Sequence, residues 1–378
     1  MRKKRRREKI PDNLIYGVCE RFLQPDTADG KRWNAETLVK WLKTQKIETS
    51  REGIFPLIRY AIRQGYVRLC PPRHIQAEKA LAEKFPRMPA DTRVLDVQPP
   101  MVSDNLAAAS ADLVLSLIKD LGPVKQRKHE GGEAPSDRVH IGFGAGDTTR
   151  QVAEKLALRM KMEAQLPEMT IHALSSGFSN SRPLSAPVAF FPSFSALNQP
   201  IEFVGLFSPP FVRMGEYDDL KKLPAIKESF REAKKIDIVV TSLAQADDEH
   251  GLLNSFLTLN EGGKPAALAT AGHIGDVQWQ PFSETEPLTD VNTGILAVTL
   301  FNLPELVELA GAEDKHVILV AGPCNGCGKL KDKAVGPLLT QKTLKVCNHL
   351  ITDVATAGAV LSGGRTGARR IGAEHHVD

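Results

Sequence analysis

The chain has 378 residues, more than one hydrophobic core usually organises, and its 42% apolar and 25% charged residues are typical of a globular protein, so we expect two domains. The chain has no uncharged apolar run of about 18 residues, so we expect no membrane span and no secretory signal. Its five cysteines are an odd number, so we expect no disulfide framework. Together these features predict a cytoplasmic location. The net charge of +4 is uneven: residues 1–73 carry 18 lysines and arginines against 8 aspartates and glutamates, or +10, which leaves −6 for the rest. A positive field at one end is typical of a module that binds a polyanion, although a solvated basic surface has the same composition.

Apolar residues at helical spacing predict three short helices in residues 1–73. The first covers about residues 14–22, and the second follows Asn34, a residue type that favours the N-cap position. The third begins at the capping-box pattern Thr49–Glu52 and ends at Gly65, because glycine commonly follows a helix. Three short helices with a turn before the last one are the arrangement of a helix-turn-helix, whose final helix enters the major groove of DNA.

The third predicted helix carries the candidate DNA contacts. Arg51, Arg59 and Arg63 lie outside its apolar stripe, and an arginine can donate two hydrogen bonds to one guanine. A protein-docking module of three helices with surface arginines is the alternative. Gly53 and Pro56 fall inside this helix, and because an interior proline can cost about 3 kcal/mol, we expect a kink or a later start.

These patterns divide the chain into three predicted parts. Residues 1–73 form the helix-turn-helix domain, with a basic arm at residues 2–7 that either follows DNA phosphates or is a solvating tail. Residues 74–90 contain a short helix followed by two prolines, and we interpret them as a linker. Residues 91–378 form the larger domain.

The larger domain alternates short apolar runs with helical stretches. This alternation predicts an α/β fold with a mostly parallel sheet, and ligands of such folds bind outside the carboxyl ends of the strands. The runs rich in valine, isoleucine and leucine are residues 139–141, 202–206, 236–240 and 316–321.

A glycine-rich loop follows the first of these runs. Gly142, Gly144 and Gly146 allow the backbone to approach an anion closely, and the helix that follows begins with Asp147, Thr148 and Thr149, whose hydroxyls and backbone N–H groups can bind a phosphate or a sugar. The loop lacks the Gly-Lys-Ser/Thr ending of a P-loop and the glycine spacing of a dinucleotide site. A purely structural tight turn is the alternative.

Two other clusters contain residue types used in catalysis or metal binding. Asp247–His250 contains acids and a histidine that an isomerase or deaminase could use as acid and base, but adjacent side chains diverge, which favours a polar loop. Cys324 and Cys327 have the spacing of a metal or redox pair. Because no second Cys/His pair lies at a suitable distance, we expect no metal site and interpret the thiols as incidental.

The order of these motifs resembles that of the SorC/DeoR family of sugar-responsive bacterial transcriptional regulators, over most of the chain. Ser50-Arg51 resembles the start of the family's recognition helix, and Gly142–Thr149 resembles its glycine-rich loop. The most specific match is Leu350–Asp353, which is similar to the family's "LITDe" motif. The other matching segments are Gly65–Leu69, Ser208–Val212, Gly275-Asp276, Lys331 with Ala334-Val335, and Ala355–Ala357.

The resemblance implies a winged helix-turn-helix head that binds double-stranded operator DNA. It also implies a larger effector domain with the sugar-isomerase-like α/β fold, which binds a sugar or sugar phosphate without converting it. Such regulators are usually oligomers, and we expect no cofactor. The implied DNA contacts are Ser50, Arg51, Arg59 and Arg63, and the candidate effector contacts are Gly142, Gly144, Gly146, Asp147, Thr148, Thr149, Asp276 and Lys331.

Two departures from the family lie near the expected effector site. No arginine is present within Ser175–Gly177, where relatives that bind phosphosugars can carry one, and Arg182 is only nearby. The loop at residues 323–329 is longer than the family's turn. Two other functions remain open: an enzyme on the same fold, such as a sugar-phosphate isomerase, deaminase or coenzyme A transferase, and a metabolite-binding adaptor that does not bind DNA. The basic head favours the regulator, since neither alternative requires it.

Overall fold

The computed structural model describes residues 10–23, 33–67, 70–132, 137–176, 183–197, 199–259 and 262–363. It divides into two compact units, a head, Met1–Leu69, and a body, Cys70–Asp378. The basic arm at residues 2–7 lies outside the described residues. Among those that are described, no helix is both long enough and apolar enough to cross a membrane.

The head contains the three helices that the sequence predicts. They are α1 (Asp12–Leu23), α2 (Ala35–Thr44) and α3 (Arg51–Arg63). Asn34 caps α2 as expected, since its side chain accepts a hydrogen bond from the backbone N–H of Thr37. The apolar stripes of the three helices meet in one core that includes Val18, Leu38 and Ile54.

The third helix starts one residue later than the capping-box pattern predicts. Ser50 is the N-cap, because its hydroxyl accepts a hydrogen bond from the Gly53 N–H at 3.2 Å. The prediction that Thr49 is the N-cap is therefore wrong. The helix continues through Pro56, which is exposed, and it ends before Gly65, whose φ of 78° is the left-handed conformation expected after a helix. No strand of a wing is present in the described residues of the head.

The body is built on a parallel sheet with helices on both faces, which confirms the predicted fold class. Seven strands run parallel in the order β1-β11-β10-β6-β2-β3-β4, and β7 adds to β6 in the antiparallel direction. The strands are β1 (Asp91–Leu95), β2 (Val139–Phe143), β3 (Met169–Ala173), β4 (Ile201–Val204), β5 (Phe211–Arg213), β6 (Ile238–Gln245), β7 (Gly275–Val277), β8 (Gln280–Phe282), β9 (Ile295–Ala297), β10 (His316–Ala321) and β11 (His349–Asp353).

Two apolar cores cover the two faces of this sheet, as expected for strands that are apolar on both sides. One core includes α5 and α6, and the other includes α12, α13 and α14. The helices of the body are α4 (Ile75–Lys84), α5 (Val102–Glu130), α6 (Asp147–Met160), α7 (Phe191–Ser195), α8 (Tyr217–Lys222), α9 (Pro224–Ala233), α10 (Leu252–Leu259), α11 (Pro265–Thr270), α12 (Leu303–Gly311), α13 (Asp332–Thr340) and α14 (Val354–Leu361).

The strand order reverses between β2 and β6. The chain proceeds outward from β2 to β3 and β4, returns to place β6 on the other side of β2, and then proceeds outward through β10 to β11. Loops after neighbouring strands on the two sides of such a reversal leave the sheet in opposite directions, which opens a crevice at the carboxyl ends of the strands. The glycine-rich loop follows β2, so it lies at this reversal.

The predicted linker at residues 74–90 is instead part of the body. Leu81 on α4 and Phe85 after it are buried in the same core as Val94 of β1. The backbone N–H of His74 also donates to the Val94 carbonyl at 2.7 Å. The prolines that suggested a hinge end α4, but the apolar residues before them are buried against the sheet.

Candidate ligand cavity and nucleic-acid surface

A cavity of about 350 Å³ lies at the reversal of strand order, outside the carboxyl ends of β2, β6 and β10. Its volume suits a small molecule. The lining comes from residues 145–148, 185, 242–244, 248, 250–252, 276, 278–279, 323–326 and 331.

The N-terminus of α6 forms one wall of this cavity. Gly146 has a φ of 128°, a conformation that side chains with a Cβ rarely adopt, and it turns the chain from β2 into the helix. Asp147 and Thr148 follow it in the first turn and line the cavity. The unpaired N–H groups of a helix N-terminus are suited to bind oxygen atoms of a ligand.

Five of the eight candidate effector residues meet at the cavity, and three do not. Gly146, Asp147, Thr148, Asp276 and Lys331 line it. Gly142 lies inside β2, where an added Cβ would be 2.4 Å from a methyl carbon of Leu174. Gly144 backs onto the Thr241 side chain, and the Thr149 hydroxyl donates to the Gly146 carbonyl at 2.9 Å. These three residues therefore shape the loop rather than line the cavity.

Asp276 is a buried carboxylate in this wall. It lies on β7, opposite Ala244 of β6, and one carboxylate oxygen accepts a hydrogen bond from the Trp279 N–H at 3.2 Å. Burial raises the pKa of Asp276 to about 7, although the Trp279 hydrogen bond and Lys331 act in the opposite direction. The carboxyl group therefore exchanges its proton near neutral pH.

Lys331 reaches the cavity from the start of α13. Its Nζ donates to the Leu243 carbonyl of β6 at 2.7 Å. Burial lowers the pKa of Lys331, while Asp248, Cys324 and Asp276 nearby act to raise it. A buried amine among carboxylates suits a ligand with several hydroxyl oxygens.

Sequence reasoning missed Gln278, which occupies the tight turn between β7 and β8. Gln278 and Trp279 have φ values of 52° and 62°, a left-handed conformation that is uncommon for residues other than glycine, asparagine and aspartate. The Gln278 side chain is buried and lines the cavity, and neither its amide nitrogen nor its amide oxygen has a hydrogen-bond partner among the described residues. Unpaired buried amides are costly, so this group is set to bind a ligand. No sequence signal marks it, because the turn carries none of the residues that usually form such turns.

The acidic cluster at Asp247–His250 and the cysteine pair Cys324 and Cys327 contribute residues to the same cavity. Asp248 and His250 follow β6, Cys324 and Cys327 follow β10, and β6 and β10 are neighbours in the sheet. The expectation of no metal site depended on the lack of a second Cys/His pair at a suitable distance in the sequence. In the structure, Asp248 and His250 lie beside the two cysteines although they are distant in sequence. Asp247 lies apart from this group and is bound by Lys329 and Lys333.

The exposed side of α3 in the head is both basic and apolar. Arg59 and Arg63 are exposed, and Arg51 is exposed 3.6 Å from Glu36. Phe55 lies on the same helix with 47% of its surface exposed. Arginines donate to guanine or phosphate, and an exposed aromatic side chain can contact the methyl group of thymine.

Comparison with solved structures identifies proteins of the same fold. Full-length sorbitol operon regulator SorC from Klebsiella pneumoniae superposes with a TM-score of 0.62 at 16% identity, over 93% of this chain and 99% of its own. A probable sor operon regulator from Shigella flexneri gives 0.57 at 15% identity, over 76% of this chain and 98% of its own. A DeoR family transcriptional regulator from Listeria monocytogenes gives 0.52 at 17% identity, over 76% and 98%.

No protein-family model and no curated protein sequence matches the chain. The first of these structures covers the head and the body alike, whereas the other two match a share of the chain close to that of the body alone. This chain therefore has the fold of the SorC and DeoR-family sugar-binding transcriptional regulators.

Proposed function

We propose that the protein is a DNA-binding transcriptional regulator whose affinity for its operator is controlled by a sugar bound in the cavity, and that it acts as an oligomer. The observation that carries this proposal is the combination, in one chain, of a helix-turn-helix with exposed arginines and a cavity lined by unpaired polar groups. The full-length structure that matches both parts is named a sorbitol operon regulator, which supports the same assignment.

The charges in the cavity favour an uncharged sugar over a sugar phosphate. Asp147, Asp248 and Asp276 line it, whereas Lys331 is the one lysine or arginine among the described lining residues. A phosphate dianion would face at least two carboxylates across a small space, which is unfavourable. The Gln278 amide supplies a donor and an acceptor, the pair that a sugar hydroxyl requires.

Control of DNA binding follows from linkage. If the sugar binds more tightly to the form of the protein that is free of DNA, it weakens operator binding, and the operator weakens sugar binding by the same factor. Coupling of this kind is typically about 5- to 150-fold in affinity.

The effector proposal is tested by a thermal-shift screen of the full chain against neutral sugars, polyols and their phosphates. A specific ligand stabilises the folded state by RT ln(1 + [L]/Kd), so the melting temperature rises with ligand concentration. We expect a neutral sugar or polyol to stabilise the wild type and the control Lys222→Met, but not Lys331→Met, each compared with its own unliganded form. A shift produced by phosphates alone would contradict the neutral-sugar assignment, and an equal shift in Lys331→Met would place the ligand elsewhere.

The DNA proposal is tested by selecting genomic fragments with the full chain and measuring their affinity at several salt concentrations. Arg59→Ala/Arg63→Ala removes two charges from α3, and Arg87→Ala/Arg231→Ala removes the same charge from exposed positions of the body. We expect at least a 10-fold loss for the first pair and, if the contacts are to phosphates, a salt slope lower by about one per lost contact. If the two double variants lost DNA affinity equally, the loss would be due to net charge alone. That result would contradict a role for α3.

A sugar-converting enzyme is the second candidate, and Asp276 is the observation that favours it. A buried carboxyl group with a pKa of about 7, in a cavity that His250 also lines, is suited to acid–base catalysis. Turnover of a bound sugar that is lost in Asp276→Asn would support this function. Binding without turnover supports the regulator.

A further inference from the structure

Four side chains with metal-binding atoms converge at the rim of the cavity. They are Asp248 and His250, after β6, and Cys324 and Cys327, after β10. One ligand atom from each side chain lies within 4.8 Å of the ligand atoms of the other three. The set of two thiols, one imidazole and one carboxylate combines ligand types that zinc binds in proteins.

The separations within this cluster are close to those of a tetrahedral site. Zinc–sulfur bonds of about 2.3 Å and zinc–nitrogen or zinc–oxygen bonds of about 2.0–2.1 Å place neighbouring ligand atoms about 3.3–3.8 Å apart. The Cys327 sulfur lies 3.8 Å from an Asp248 carboxylate oxygen, and His250 Nδ1 lies 3.6 Å from the same oxygen. Closure around an ion needs movement of about 1 Å at the widest pair, which rotation of side chains can supply.

The backbone of the cysteine loop forms a closed turn, an arrangement that is suited to hold two cysteine ligands of a metal. The N–H groups of Gly326 and Cys327 donate to the Cys324 sulfur, and this sulfur lies within 4.8 Å of the other three ligand atoms. Gly328 follows the second cysteine with a φ of 74° and donates to the Cys324 carbonyl at 2.8 Å. This closed turn holds the two sulfurs on one side.

The histidine is fixed against this loop with its ligand nitrogen free. A Cβ at position 326 would lie 2.5 Å from His250 Nε2, so the glycine there allows the imidazole ring to pack on the loop. His250 Nδ1 is buried and makes no hydrogen bond, although its own backbone N–H donates to Asp248. A buried ring nitrogen without a hydrogen-bond partner among the described residues is available to bind a metal ion.

A lysine clamp joins the two ligand loops independently of the cluster. Lys329 Nζ donates to the Asp247 carbonyl at 2.6 Å, and Lys333 Nζ contacts its carboxylate at 3.3 Å. The ligands from β6 and β10 are therefore held in register before any ion binds, which lowers the entropic cost of forming the site.

We propose that Asp248, His250, Cys324 and Cys327 bind a zinc ion at the rim of the ligand cavity. Four protein ligands close the coordination sphere, so the ion has a structural role: it fixes the loop at residues 323–329 as a wall of the cavity. The inference depends on the geometry of the body alone and holds whether or not the protein regulates transcription.

The test measures zinc directly in the full chain, expressed without a histidine tag and purified without chelators. We expect about one zinc per chain by mass spectrometry of the metal. Replacing it with Co²⁺ should produce a sulfur-to-cobalt charge-transfer band and the strong visible bands of a tetrahedral site. Less than about 0.1 zinc per chain together with no thiolate–cobalt band would overturn the proposal, and this result does not depend on any variant.

Variants then locate the ion. In Cys324→Ser/Cys327→Ser the zinc dissociation constant should rise more than about 100-fold, because even the hydrogen-bond partners of metal ligands account for about 10- to 100-fold. Cys70→Ser, which removes an exposed thiol outside the cluster, should leave zinc and the cobalt spectrum unchanged. A thiolate–cobalt band that survives in the double variant would assign the metal to other cysteines and overturn the proposal.

Discussion

The two ends of the parallel sheet in the body place polar side chains in different surroundings. At the amino ends, Asp237 is 2% exposed and binds Lys125 at 2.8 Å and Lys315 at 3.0 Å, and its second oxygen accepts the His140 N–H. At the carboxyl ends, the Gln278 amide and His250 Nδ1 are buried without hydrogen-bond partners. Removing one partner of a buried ion pair destabilises the fold, whereas unpaired polar atoms beside a cavity are available to a ligand.

A second network at the amino ends has the same character. His349 Nδ1 lies 3.0 Å from an Asp91 carboxylate oxygen, and its Nε2 lies 3.0 Å from Nδ1 of His316. The hydrogen bond from His349, with Arg93 contributing, holds the pKa of Asp91 well below its usual range, although burial acts against it. We therefore expect substitutions at the amino ends to change stability and substitutions at the carboxyl ends to change binding.

The largest expected effect is that of Asp237→Asn on stability. The change removes the charge that Lys125 and Lys315 share, and breaking a buried ion pair at one partner costs about 3 kcal/mol or more. Urea unfolding should show this loss, while Asp219→Asn, in an exposed pair with Lys222, should leave the free energy of unfolding nearly unchanged. Similar small changes in the free energy of unfolding for both variants would contradict the proposed difference between the two ends of the sheet.

The next effect is a loss of stability in acid through His140 and His172. Their rings are buried 3.0 Å apart between Nδ1 and Nε2, and burial lowers the pKa of His140 to about 4 and that of His172 to about 3. The unfolded chain takes up these protons below about pH 6.5, so the folded state loses stability as pH falls from there toward 3.

Between pH 7 and pH 5 this loss should be on the order of 2 kcal/mol for each histidine, measured by urea unfolding. The matched variant His140→Gln/His172→Gln should show a smaller decline over the same range. Identical pH profiles would show that other groups control the acid response.

Gly142→Ala should destabilise the body by about 1–3 kcal/mol without changing ligand affinity. The new methyl group would enter the space of Leu174 and Ile236, and overpacking of a core has costs of this size. Gly358→Ala on α14 is the control, since nothing lies within 4 Å of the added carbon and alanine favours the helix. A loss of ligand binding at unchanged stability would show that Gly142 contributes to the ligand cavity.

The smallest expected effect on stability, and the clearest on binding, is that of Gln278→Met. Methionine has a similar volume but no amide, so the free energy of unfolding should change by less than about 1 kcal/mol. Sugar affinity, measured by calorimetry, should fall about 10-fold, because one or two hydrogen bonds to the ligand are lost. An unchanged affinity would show that the unpaired amide does not contact the sugar.

Sequence patterns predicted most of the fold because the elements are locally encoded. The helices of the head follow from apolar spacing and capping residues such as Asn34, and the strands of the body follow from short apolar runs. The linker was wrong because the prolines after Lys84 outweighed the apolar stripe of α4, and burial of that stripe depends on the sheet that it covers.

The site was predictable where it is continuous in sequence and not where it is assembled by the fold. The loop at Gly146–Thr148 was found from its glycines. The pairing of Asp248 with Cys327 joins residues 79 positions apart and depends on β6 lying beside β10, an order that local patterns do not encode. Gln278 was missed for a related reason, since its role comes from a turn without the usual turn residues.

The central claim is that occupancy of the cavity controls DNA binding, and one measurement tests it most directly. The affinity of the full chain for its selected DNA fragment is measured at fixed salt, with and without the saturating sugar, in the wild type and in Gln278→Met. We expect the sugar to change the wild-type affinity at least 5-fold, and the variant to need about 10-fold more sugar for the same change. An operator affinity that is the same with and without saturating sugar would contradict the account.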